Sequence, residues 1–465
     1  MRSANKNNAI LLRWAETLQR SASDPAVRGP DGAVEKTFAD IESEAGEWAA
    51  RLSHFPRGTV IAMQVGNSPA WPALILAAMR VGLIPLPLGA HMARDEREAA
   101  LTASHAAVLL EERGRALEIE TRDHPTPPLP ACDFLKLTSG TTCRPRVIRF
   151  TATQLVADCD NICDTMGIAA TDLNFGVIPF SHSYGFSNLI TPLLCRGIPL
   201  VASDDRMPRA ILNDLARTAA TVFPGMPIFF EKLAETPGVS LPALRLCISA
   251  GAPLPARVGQ AFTARYGLKI HTFYGSSECG GIAYDASDDP LYEDAFVGPP
   301  MRNVQITPTS LPGQIAVRSA AVSEGYYPEP NPEVLSDGQF IPADLVCITP
   351  RGLHLTGRAT DVINIAGRKL NPAEIEQRLA QCPGVRQVIV FGIASDLRNE
   401  EAIACVTGAA APAEILRYAR TVLSPWQVPR DIWLVEELPV NPHGKISRRD
   451  LARAYRDSHP GSPIS

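Results

Sequence analysis

Apolar residues recur along the first half of the chain with the spacing of buried strands and amphipathic helices. Thr37–Leu52 carries apolar residues at helical spacing behind a threonine that can cap the helix. Val60–Val65 is typical of a buried strand, Ala70–Val81 of a buried helix, and Leu83–Leu88 forms a second apolar segment. The alternation continues through residues 106–275, so the pattern predicts parallel α/β layers.

The pattern changes between residues 296 and 356 to short strands joined by turns. Val346–Thr349 and Leu353–Thr356 flank a Pro-Arg-Gly turn and predict a hairpin, so we expect a small β-barrel or antiparallel sheet there. A boundary at about 357–361 precedes a predicted compact α+β unit. Its predicted elements are a helix over Ala373–Gln381, strands over Val385–Ile393 and Glu401–Val406, a helix over Ala413–Leu423 and a strand over Asp431–Val435.

Composition narrows the classes of function. A chain of 465 residues predicts two or three domains, and 45% hydrophobic content is enough for sizeable cores. A net charge of −5 gives no basic field, so nucleic acid is not favoured as a partner. The ten cysteines form no C-x-x-C pair, and Cys159 and Cys163 have the spacing of one helix face. A half-buried helix face is a better interpretation of that pair than a metal site.

Neither a signal peptide nor a membrane span is expected. Met1–Asn8 is polar and precedes an amphipathic stretch. The most apolar run, Ala73–Leu88, contains Arg80 and two prolines, which are unsuited to a membrane helix. Together with the free thiols, these features predict a cytoplasmic protein.

The most informative polar segment is residues 137–146, Leu-Thr-Ser-Gly-Thr-Thr-Cys-Arg-Pro-Arg. A Ser/Thr/Gly loop offers hydroxyl and backbone N–H groups with little bulk, and arginines add charge-assisted bonds to phosphate oxygens. Val147–Phe150 predicts a strand after the loop, which places the loop in a hairpin. The spacing is not that of the common phosphate loop before a helix. On its own, the stretch is more simply interpreted as a polar turn.

Four segments in order change that interpretation, because together they resemble the signatures of the acyl-adenylate-forming (AMP-binding) superfamily. This superfamily includes acyl-CoA synthetases, aryl-CoA ligases, peptide-synthetase adenylation domains and firefly luciferase. The segments are 137–146, Tyr-Gly-Ser-Ser-Glu at 274–278, the motif at 357–376, and Asn-Pro-His-Gly-Lys-Ile at 441–446. Weaker matches lie at 37–40, 249–254 and 313–318. The resemblance spans nearly the whole chain.

The resemblance implies an α/β fold with two domains. Residues 1–357 would form an N-terminal AMP-binding domain of doubly wound α/β subdomains plus a small β-barrel. Residues 358–465 would form a small mobile α+β lid domain. Thr360 stands at the hinge position of the family, which must absorb a large backbone rotation.

The resemblance also implies ATP, Mg²⁺ and CoA, or the phosphopantetheine of a carrier protein, as cofactors. Lys445 would bridge the substrate carboxylate and the α-phosphate, Glu278 would coordinate Mg²⁺, and Ser277 would bond the α-phosphate. Asp344 would accept the ribose hydroxyls. The remaining cofactor-binding residues implied are Thr138, Ser139, Gly140, Thr141, Thr142 and Arg146 for the phosphates, Gly251, Ala252, Pro253, Tyr274 and Gly275 around the adenine, Arg358 on the ribose and phosphate, and Gly367 and Lys369 in the crossover loop.

This chemistry requires no protein nucleophile. A carboxylate attacks the α-phosphorus of ATP and expels pyrophosphate. Because both reactants are anions, catalysis consists of charge neutralisation and in-line positioning. Neither a Ser-His-Asp set nor a reactive cysteine is evident in the sequence.

The acid pocket implied by the resemblance is mainly apolar. Its lining is Phe180, His182, Phe186, Phe223, Gly225, Met226, Ala250 and Gly280. His182 would gate the second half-reaction, with a structural histidine as the alternative. Amino-acid adenylation domains place an aspartate just after the pocket phenylalanine, where this chain has Ser181, His182 and Ser183. A buried ammonium without a partner is costly, so we expect an aryl or a short- to medium-chain aliphatic acid.

Three positions depart from the family pattern: Cys143 and Ala343 replace glycines, and Arg146 replaces a lysine. None removes a catalytic charge, so the sequence predicts an active, AMP-forming carboxylic acid–CoA ligase. A stand-alone acyl- or aryl-AMP ligase that loads a carrier protein is the alternative. From a different class, the chain could be a nucleotide-binding protein without turnover, although Lys445 and Glu278 argue against it. Nothing in the sequence favours a luciferase-like oxidation.

Overall fold

The computed structural model describes residues 8–114, 116–122, 131–138, 146–365, 368–395, 399–439 and 446–459. The chain divides into two compact units. The larger comprises Met1–Thr307, Ala316–Pro342 and Ile348–His354, and the smaller comprises Pro308–Ile315, Ala343–Cys347 and Leu355–Ser465. The domain boundary expected after residue 357 stays a prediction.

The larger unit alternates helices and strands as the sequence pattern predicts. Its helices are α1 (Ala9–Ser21), α2 (Phe38–Leu52), α3 (Trp71–Val81), α4 (Arg94–Ser104), α5 (Ala152–Met166), the single turn α6 (Ser183–Gly185), α7 (Thr191–Arg196), α8 (Pro208–Thr218), α9 (Pro227–Glu235) and α10 (Ala256–Tyr266). A π-helical segment, Phe186–Ile190, connects α6 to α7.

The strands of this unit are short, and most are buried. They are β1 (Pro25–Arg28), β2 (Val34–Thr37), β3 (Val60–Gln64), β4 (Ile84–Leu88), β5 (Val108–Arg113), β6 (Ala116–Thr121), β7 (Phe134–Thr138), β8 (Arg146–Phe150), β9 (Asn174–Gly176), β10 (Leu200–Ala202), β11 (Val222–Gly225), β12 (Leu246–Ser249), β13 (Ile270–Ser276), β14 (Gly280–Tyr284), β15 (Phe296–Gly298), β16 (Gln305–Pro308), β17 (Ile315–Arg318), β18 (Gly325–Tyr327), β19 (Leu335–Ser336) and β20 (Gln339–Phe340).

An eight-stranded sheet in the order β14-β13-β12-β11-β9-β10-β1-β2 is the largest sheet. Its six inner strands run parallel, and β14 and β2 pair antiparallel at the two edges. A second sheet, β4-β3-β5-β6, and a third, β18-β8-β7, belong to the same unit. The strands after β14 form small sheets with antiparallel pairs, in the region where the sequence predicts a barrel or an antiparallel sheet.

Local sequence explains where the predicted elements begin and end. The Thr37 hydroxyl accepts the Asp40 N–H at 3.1 Å and the Asp40 carboxylate accepts the Thr37 N–H at 2.8 Å, so a capping box starts α2. Helix α3 is buried along almost its whole length and ends at Gly82, whose φ of 78° suits glycine. Strand β3 lies between β4 and β5 and is fully buried, as its unbroken apolar run predicts.

An aromatic core supports the parallel strands. Phe223 contacts Phe230 edge-on at a centroid distance of 5.3 Å, and Phe230 contacts Phe262 in the same way at 5.3 Å. These rings come from β11, α9 and α10, so they fix helices against the sheet with favourable quadrupole geometry.

The remaining elements lie wholly or partly in the smaller unit. They are β21 (Asp344–Thr349), β22 (Gly352–Arg358), a 3₁₀ turn (Ala359–Asp361), β23 (Ile363–Ile365), β24 (Arg368–Leu370), α11 (Pro372–Leu379), β25 (Val385–Ser395), β26 (Asn399–Gly408), α12 (Pro412–Val422), β27 (Asp431–Leu434) and α13 (Arg448–Ser458). The division between the units runs through β21 and β22, the predicted hairpin. A five-stranded sheet, β24-β23-β26-β25 with β27 on β26, carries the core of this unit.

The predicted fold class, mixed α/β with a larger N-terminal and a smaller C-terminal part, is confirmed. The elements predicted over 373–435 are all present within a few residues, whereas α13 and the β23–β24 hairpin were not predicted. Among the helices that the structure describes, none combines the length and apolar character needed to cross a bilayer.

Candidate active site

The segments assigned by sequence to the acid, the adenine and the metal follow neighbouring parallel strands. Phe180 and His182 come after β9, Met226 after β11, Gly251 after β12, and Glu278 after β13. Because the carboxyl ends of parallel strands meet at one edge of a sheet, the fold brings these segments to the same edge.

The expected phosphate loop connects two paired strands. Thr138 ends β7 and lies opposite Arg146, which begins β8, and the Thr138 hydroxyl donates to the Arg146 carbonyl oxygen at 3.5 Å. The strands that flank the loop therefore form an antiparallel pair, as the sequence predicts. The other predicted phosphate ligands and the departure at Cys143 lie outside the described residues: Ser139, Gly140, Thr141, Thr142 and Cys143.

Tyr326 joins the two ends of the predicted phosphate site. Its hydroxyl donates to Glu278 Oε1 at 3.0 Å, and the Arg146 guanidinium lies 5.4 Å from the centre of its ring. Burial, with the adjacent Glu278 carboxylate, raises the pKa of Tyr326, so the phenol keeps its proton and acts as a donor. The structure thus brings Arg146 and Glu278 together across one aromatic ring.

Sequence reasoning missed Tyr326. It lies on β18, which pairs with β8 and so with the strand that Arg146 begins. The available signal was weak: a Gly-Tyr-Tyr run in a short strand far along the chain from both partners.

Ser277 forms a hydrogen bond with the segment predicted to bind the acid. The Ser183 hydroxyl donates to the Ser277 hydroxyl at 2.9 Å. The Glu278 N–H donates to Ser276 Oγ at 3.2 Å and so shapes the turn that follows β13. The residues predicted for the α-phosphate and for the metal therefore stand next to α6.

His182 caps that short helix. Its Nδ1 accepts the Tyr184 N–H at 3.2 Å, and the Tyr184 hydroxyl donates to the Ile248 carbonyl oxygen at 3.1 Å. An imidazole that accepts at Nδ1 carries the proton of its neutral form on Nε2. The side chain is exposed, as a gating residue requires, although the capping bond alone also fits a structural role.

Asn67 fixes the segment that carries Phe180, and sequence reasoning missed it. Its side-chain oxygen accepts the Phe180 N–H at 2.9 Å, and its amide nitrogen donates to the carbonyl oxygens of Gly176, Ile178 and Ser203. A buried amide bonded on both sides fixes local backbone geometry.

The predicted acid-pocket residues fall into two groups. Phe186 stacks on Phe134 at a centroid distance of 4.4 Å, and Phe223 contacts Phe175 and Phe230, so these two rings lie in the core. By contrast, Met226 and the Ala250–Gly251 turn lie together. A β-carbon built on Gly251 would lie 3.8 Å from Met226 Cε, and the Ala250 N–H donates to the Gly225 carbonyl oxygen at 3.2 Å.

Two further predicted pocket residues are buried beside the sheet edge. Phe180 is 1% exposed, and its ring would lie 2.9 Å from a β-carbon on Gly176. Gly280 has a φ of +70°, and a β-carbon there would overlap the Asp158 carboxylate, so only glycine fits.

The residues predicted around the adenine differ in exposure. Gly251, with a φ of +86°, is exposed together with Ala252 and Pro253. Tyr274 is buried at 6% exposure. A β-carbon on Gly275 would lie 2.7 Å from the Gly280 carbonyl oxygen, so the β13–β14 turn requires a glycine at this place.

In the smaller unit the structure brings the two residues predicted for the ribose into contact. Arg358 Nε donates to Asp344 Oδ1 at 2.8 Å. Lys369 lies on β24, with its backbone paired to Asn364, and its side chain is not described. Gly367 and Lys445 lie outside the described residues.

Cys279, beside Glu278, is unsuited to nucleophilic catalysis. It is fully buried, and burial raises the pKa of its thiol to about 12. The thiolate that would be reactive is therefore scarce at neutral pH. This environment agrees with a reaction that uses charges rather than a protein nucleophile.

Comparison with known proteins identifies the family. Residues 14–327 match the AMP-binding enzyme family, and residues 374–445 match the AMP-binding enzyme C-terminal domain. Feruloyl-CoA synthase from Amycolatopsis sp is 26% identical over 469 residues, covering 91% of this chain and 95% of that protein. The long-chain fatty-acid CoA ligase FadD13 of Mycobacterium tuberculosis is 22% identical over 510 residues, covering 98% of this chain and all of that protein.

Solved structures share the fold. ATP-bound MatB from Rhodopseudomonas palustris superposes with a TM-score of 0.84 at 24% identity, over 97% of this chain and 99% of that one. The amide bond synthetase McbA from Marinactinospora thermotolerans gives 0.81 at 24% identity, over 96% and 99%. The expected enzyme class, an ATP-dependent, AMP-forming acid–thiol ligase, agrees with the family and with the names of the curated relatives. This chain belongs to the AMP-binding enzymes and matches both the main and the C-terminal domain of that family.

Proposed function

We propose that this protein is an AMP-forming carboxylic acid–CoA ligase. It activates a carboxylic acid with ATP to acyl-AMP and pyrophosphate, and then transfers the acyl group to the thiol of CoA. The observation that carries the proposal is the Arg146–Tyr326–Glu278 contact beside Ser277. It brings a cation, a carboxylate and hydroxyls together beside the end of β13, in segments that match the family. The names of the relatives as CoA ligases support it.

The first half-reaction is a displacement at the α-phosphorus. A carboxylate oxygen of the acid forms a bond to phosphorus as the bond to pyrophosphate breaks. Arg146 would stabilise the departing phosphates, and the Ser277 hydroxyl would donate to an α-phosphate oxygen. These groups act by lowering the charge repulsion between two anions.

Glu278 suits a magnesium ion. A carboxylate oxygen is the ligand type that this hard cation prefers, with water and phosphate oxygens completing the shell. When bound, the ion would neutralise phosphate charge. The Tyr326 hydroxyl donates to Oε1 of this carboxylate, so it would orient Glu278 and leave the second oxygen for the metal.

The smaller unit would supply the other contacts. Asp344 would accept the ribose hydroxyls, with Arg358 beside it, and Lys445 would neutralise the carboxylate and the α-phosphate. After rotation at Thr360, the crossover segment with Gly367 would admit the pantetheine thiol. The thiol attacks the acyl carbonyl carbon, and AMP leaves with the oxygen that came from the acid.

For the acid we propose an aryl carboxylate. Met226, Ala250 and Gly251 offer apolar atoms and small volume at the sheet edge. Within the described segment that follows Phe180, no carboxylate is available to pair an α-ammonium. The relative named feruloyl-CoA synthase supports an aryl acid, whereas the fatty-acid ligases make aliphatic acids the alternative.

The proposal is tested with purified protein, ATP, Mg²⁺, CoA and a panel of benzoates, cinnamates, fatty acids of increasing length and α-amino acids. We expect acid-dependent release of AMP and pyrophosphate, together with the acyl-CoA detected by mass spectrometry. Release of ADP and phosphate would overturn the reaction class. A clear preference for an α-amino acid would overturn the acid assignment.

Two alternatives give different outcomes in the same assay. A ligase that loads a carrier protein would form acyl-AMP, trapped as a hydroxamate by hydroxylamine, but would transfer it to phosphopantetheinylated carrier protein and not to CoA. A nucleotide-binding protein without turnover would bind ATP and form no product with any acid.

A further inference from the structure

Lys136 is a buried cation whose function the proposed reaction leaves unexplained. It lies on β7, two residues before Thr138, and therefore on the same strand face. It is 5% exposed, and its Nζ lies 4.6 Å from the centre of the Phe150 ring. Its ammonium donates to the Ser187 hydroxyl at 3.4 Å.

Ser187 connects this ammonium to a buried carboxylate. The Ser187 hydroxyl donates to Asp158 Oδ2 at 2.6 Å, and Asp158 Oδ1 accepts the Gly281 N–H at 3.0 Å. Asp158 is 3% exposed and occupies the space where Gly280 lacks a β-carbon. The carboxylate therefore fixes the chain two to three residues beyond Glu278.

Each contact of this relay lies on a segment of the proposed site. Lys136 is on the strand that enters the phosphate loop, and Gly281 is on the strand that leaves the Glu278 turn. Ser187 is in the π-helical segment that directly follows α6, the helix capped by His182. Such π-helical insertions are frequent at functional sites. Thr191 strengthens this one by donating to the Ser187 carbonyl oxygen at 3.0 Å.

A purely structural role does not explain why Lys136 and Asp158 are buried as charged groups. Burying an ammonium and a carboxylate costs desolvation energy, and an apolar replacement of similar volume is often neutral or stabilising. Here the two charges are bridged by a hydroxyl rather than in direct contact. Burial lowers the pKa of Lys136, while Asp158, Cys279 and Glu278 act in the opposite direction.

We propose that Lys136, Ser187 and Asp158 form a positioning relay for adenylation, an inference that rests on the proposed function. Asp158 holds the Gly280–Gly281 backbone so that the Ser277–Glu278 turn keeps its place. The Lys136 ammonium supplies a positive charge behind that turn, on the strand that leads into the phosphate loop. The relay thereby links the phosphate, metal and acid segments.

Strands β13 and β14 flank the Ser277–Glu278 turn, and a matched control lies at their opposite ends. Lys269 precedes β13 and Asp285 follows β14, and Lys269 Nζ lies 2.7 Å from Asp285 Oδ2. Their side chains are 12% and 4% exposed. Lys269 also donates to the Ser287 hydroxyl at 3.0 Å. This pair repeats the buried chemistry of the relay away from the proposed site.

The test compares Lys136→Met, Ser187→Ala and Lys269→Met with the unaltered protein. The readouts are kcat and KM for ATP in acid-dependent ATP–pyrophosphate exchange, conversion of supplied acyl-AMP to acyl-CoA, and the thermal midpoint. We expect Lys136→Met to lose about 100-fold in exchange kcat and Ser187→Ala about 10-fold. Conversion of supplied acyl-AMP should stay within about 3-fold, and Lys269→Met should lower the thermal midpoint with exchange within about 2-fold.

Several results would overturn the relay. One is an unchanged rate of ATP–pyrophosphate exchange in both Lys136→Met and Ser187→Ala. Another is an equal loss in ATP–pyrophosphate exchange and in conversion of supplied acyl-AMP to acyl-CoA. If Lys136→Met does not fold, Ser187→Ala decides, because it removes only a hydroxyl. If the unaltered protein shows no exchange with any acid, the proposed function fails instead. Calorimetry of Mg·ATP binding then tests the relay: weakening by Ser187→Ala but not by Lys269→Met supports it, and equal binding overturns it.

Discussion

The phosphate end and the acid end of the proposed site are built differently. At the phosphate end, Arg146, Tyr326 and Glu278 are joined by directional contacts, and the buried charges of Lys136 and Asp158 lie behind them. The acid end consists of Met226, Ala250 and glycines, with apolar packing in place of ion pairs. The phosphate end is therefore characterised by its charged groups, and the acid end by the volume that its apolar residues leave.

From this difference we expect the two ends to have separate tasks. A reaction between two anions requires the same charges for every acid, so the phosphate end sets the reaction. Apolar volume discriminates weakly between acids that differ by small groups. We therefore expect the acid end to set the substrate, so that changes there alter preference rather than chemistry.

The largest effect should come from removing a positive charge supplied by the smaller unit. Lys445→Ala is expected to lose about 1,000-fold in acid-dependent pyrophosphate exchange, because Lys445 is the residue proposed to neutralise the attacking carboxylate and the α-phosphate. It should still convert supplied acyl-AMP to acyl-CoA, since that step forms no bond to phosphorus. Both steps are measured with the same preparation, and equal loss in both would refute the assignment.

Removing the predicted metal carboxylate should come next. Glu278→Gln is expected to lower exchange about 100-fold for every acid tested and to raise the Mg²⁺ concentration needed for half-maximal rate. Glu324→Gln is a suitable control. Glu324 is an exposed carboxylate that directly precedes β18 in the sequence. If the loss of exchange in Glu278→Gln differed widely between acids, Glu278 would affect the choice of acid, which contradicts the proposed separation of the two ends.

A smaller loss is expected when only the orienting hydroxyl is removed. Tyr326→Phe keeps the ring beside Arg146 but cannot donate to Glu278, so the Mg²⁺ requirement should rise about 10-fold with an unchanged order of acids. Tyr327→Phe, at the next residue of the strand, provides the matched control. If the two variants behave alike, the Tyr326–Glu278 bond has no catalytic role.

The smallest effect on rate is expected at the acid end. Met226→Ala enlarges the apolar turn, so larger acids should gain relative to smaller ones by about 10-fold, as expected for a few methylene groups. The KM for ATP should stay the same. Steady-state rates across the acid panel measure this, and a uniform loss for all acids would show that Met226 serves the common chemistry instead.

Sequence predicted those parts of the fold that are encoded locally. Helices α2 and α3 and strand β3 follow from apolar spacing, a capping threonine and a terminal glycine. Helix α13 was missed, because its sequence is strongly polar and only Leu451, Ala452 and Tyr455 are buried. The π-helical segment was missed as well, since nothing in the local pattern marks one added residue in a turn.

The site residues also separate into those that a local motif predicts and those that only tertiary contacts reveal. Glu278, Arg146 and Arg358 were named because each stands in a segment that resembles a family signature. Tyr326 and Asp158 could not be found in this way, because tertiary contacts across 48 and 123 residues of sequence bring them to their partners. Phe186 and Phe223 pack against other aromatic rings in the core, and their assignment to the pocket stays a prediction. Apolar character alone does not distinguish a pocket wall from a core.

The central claim is that the acid attacks the α-phosphorus of ATP before the thiol receives the acyl group. The most direct test supplies the preferred acid labelled with heavy oxygen in both carboxylate positions, together with ATP, Mg²⁺ and CoA. Because AMP departs with the bridging oxygen of the acyl-adenylate, mass spectrometry should find one heavy oxygen in AMP and none in pyrophosphate. Unlabelled AMP, or heavy oxygen in an inorganic phosphate product, would contradict the account.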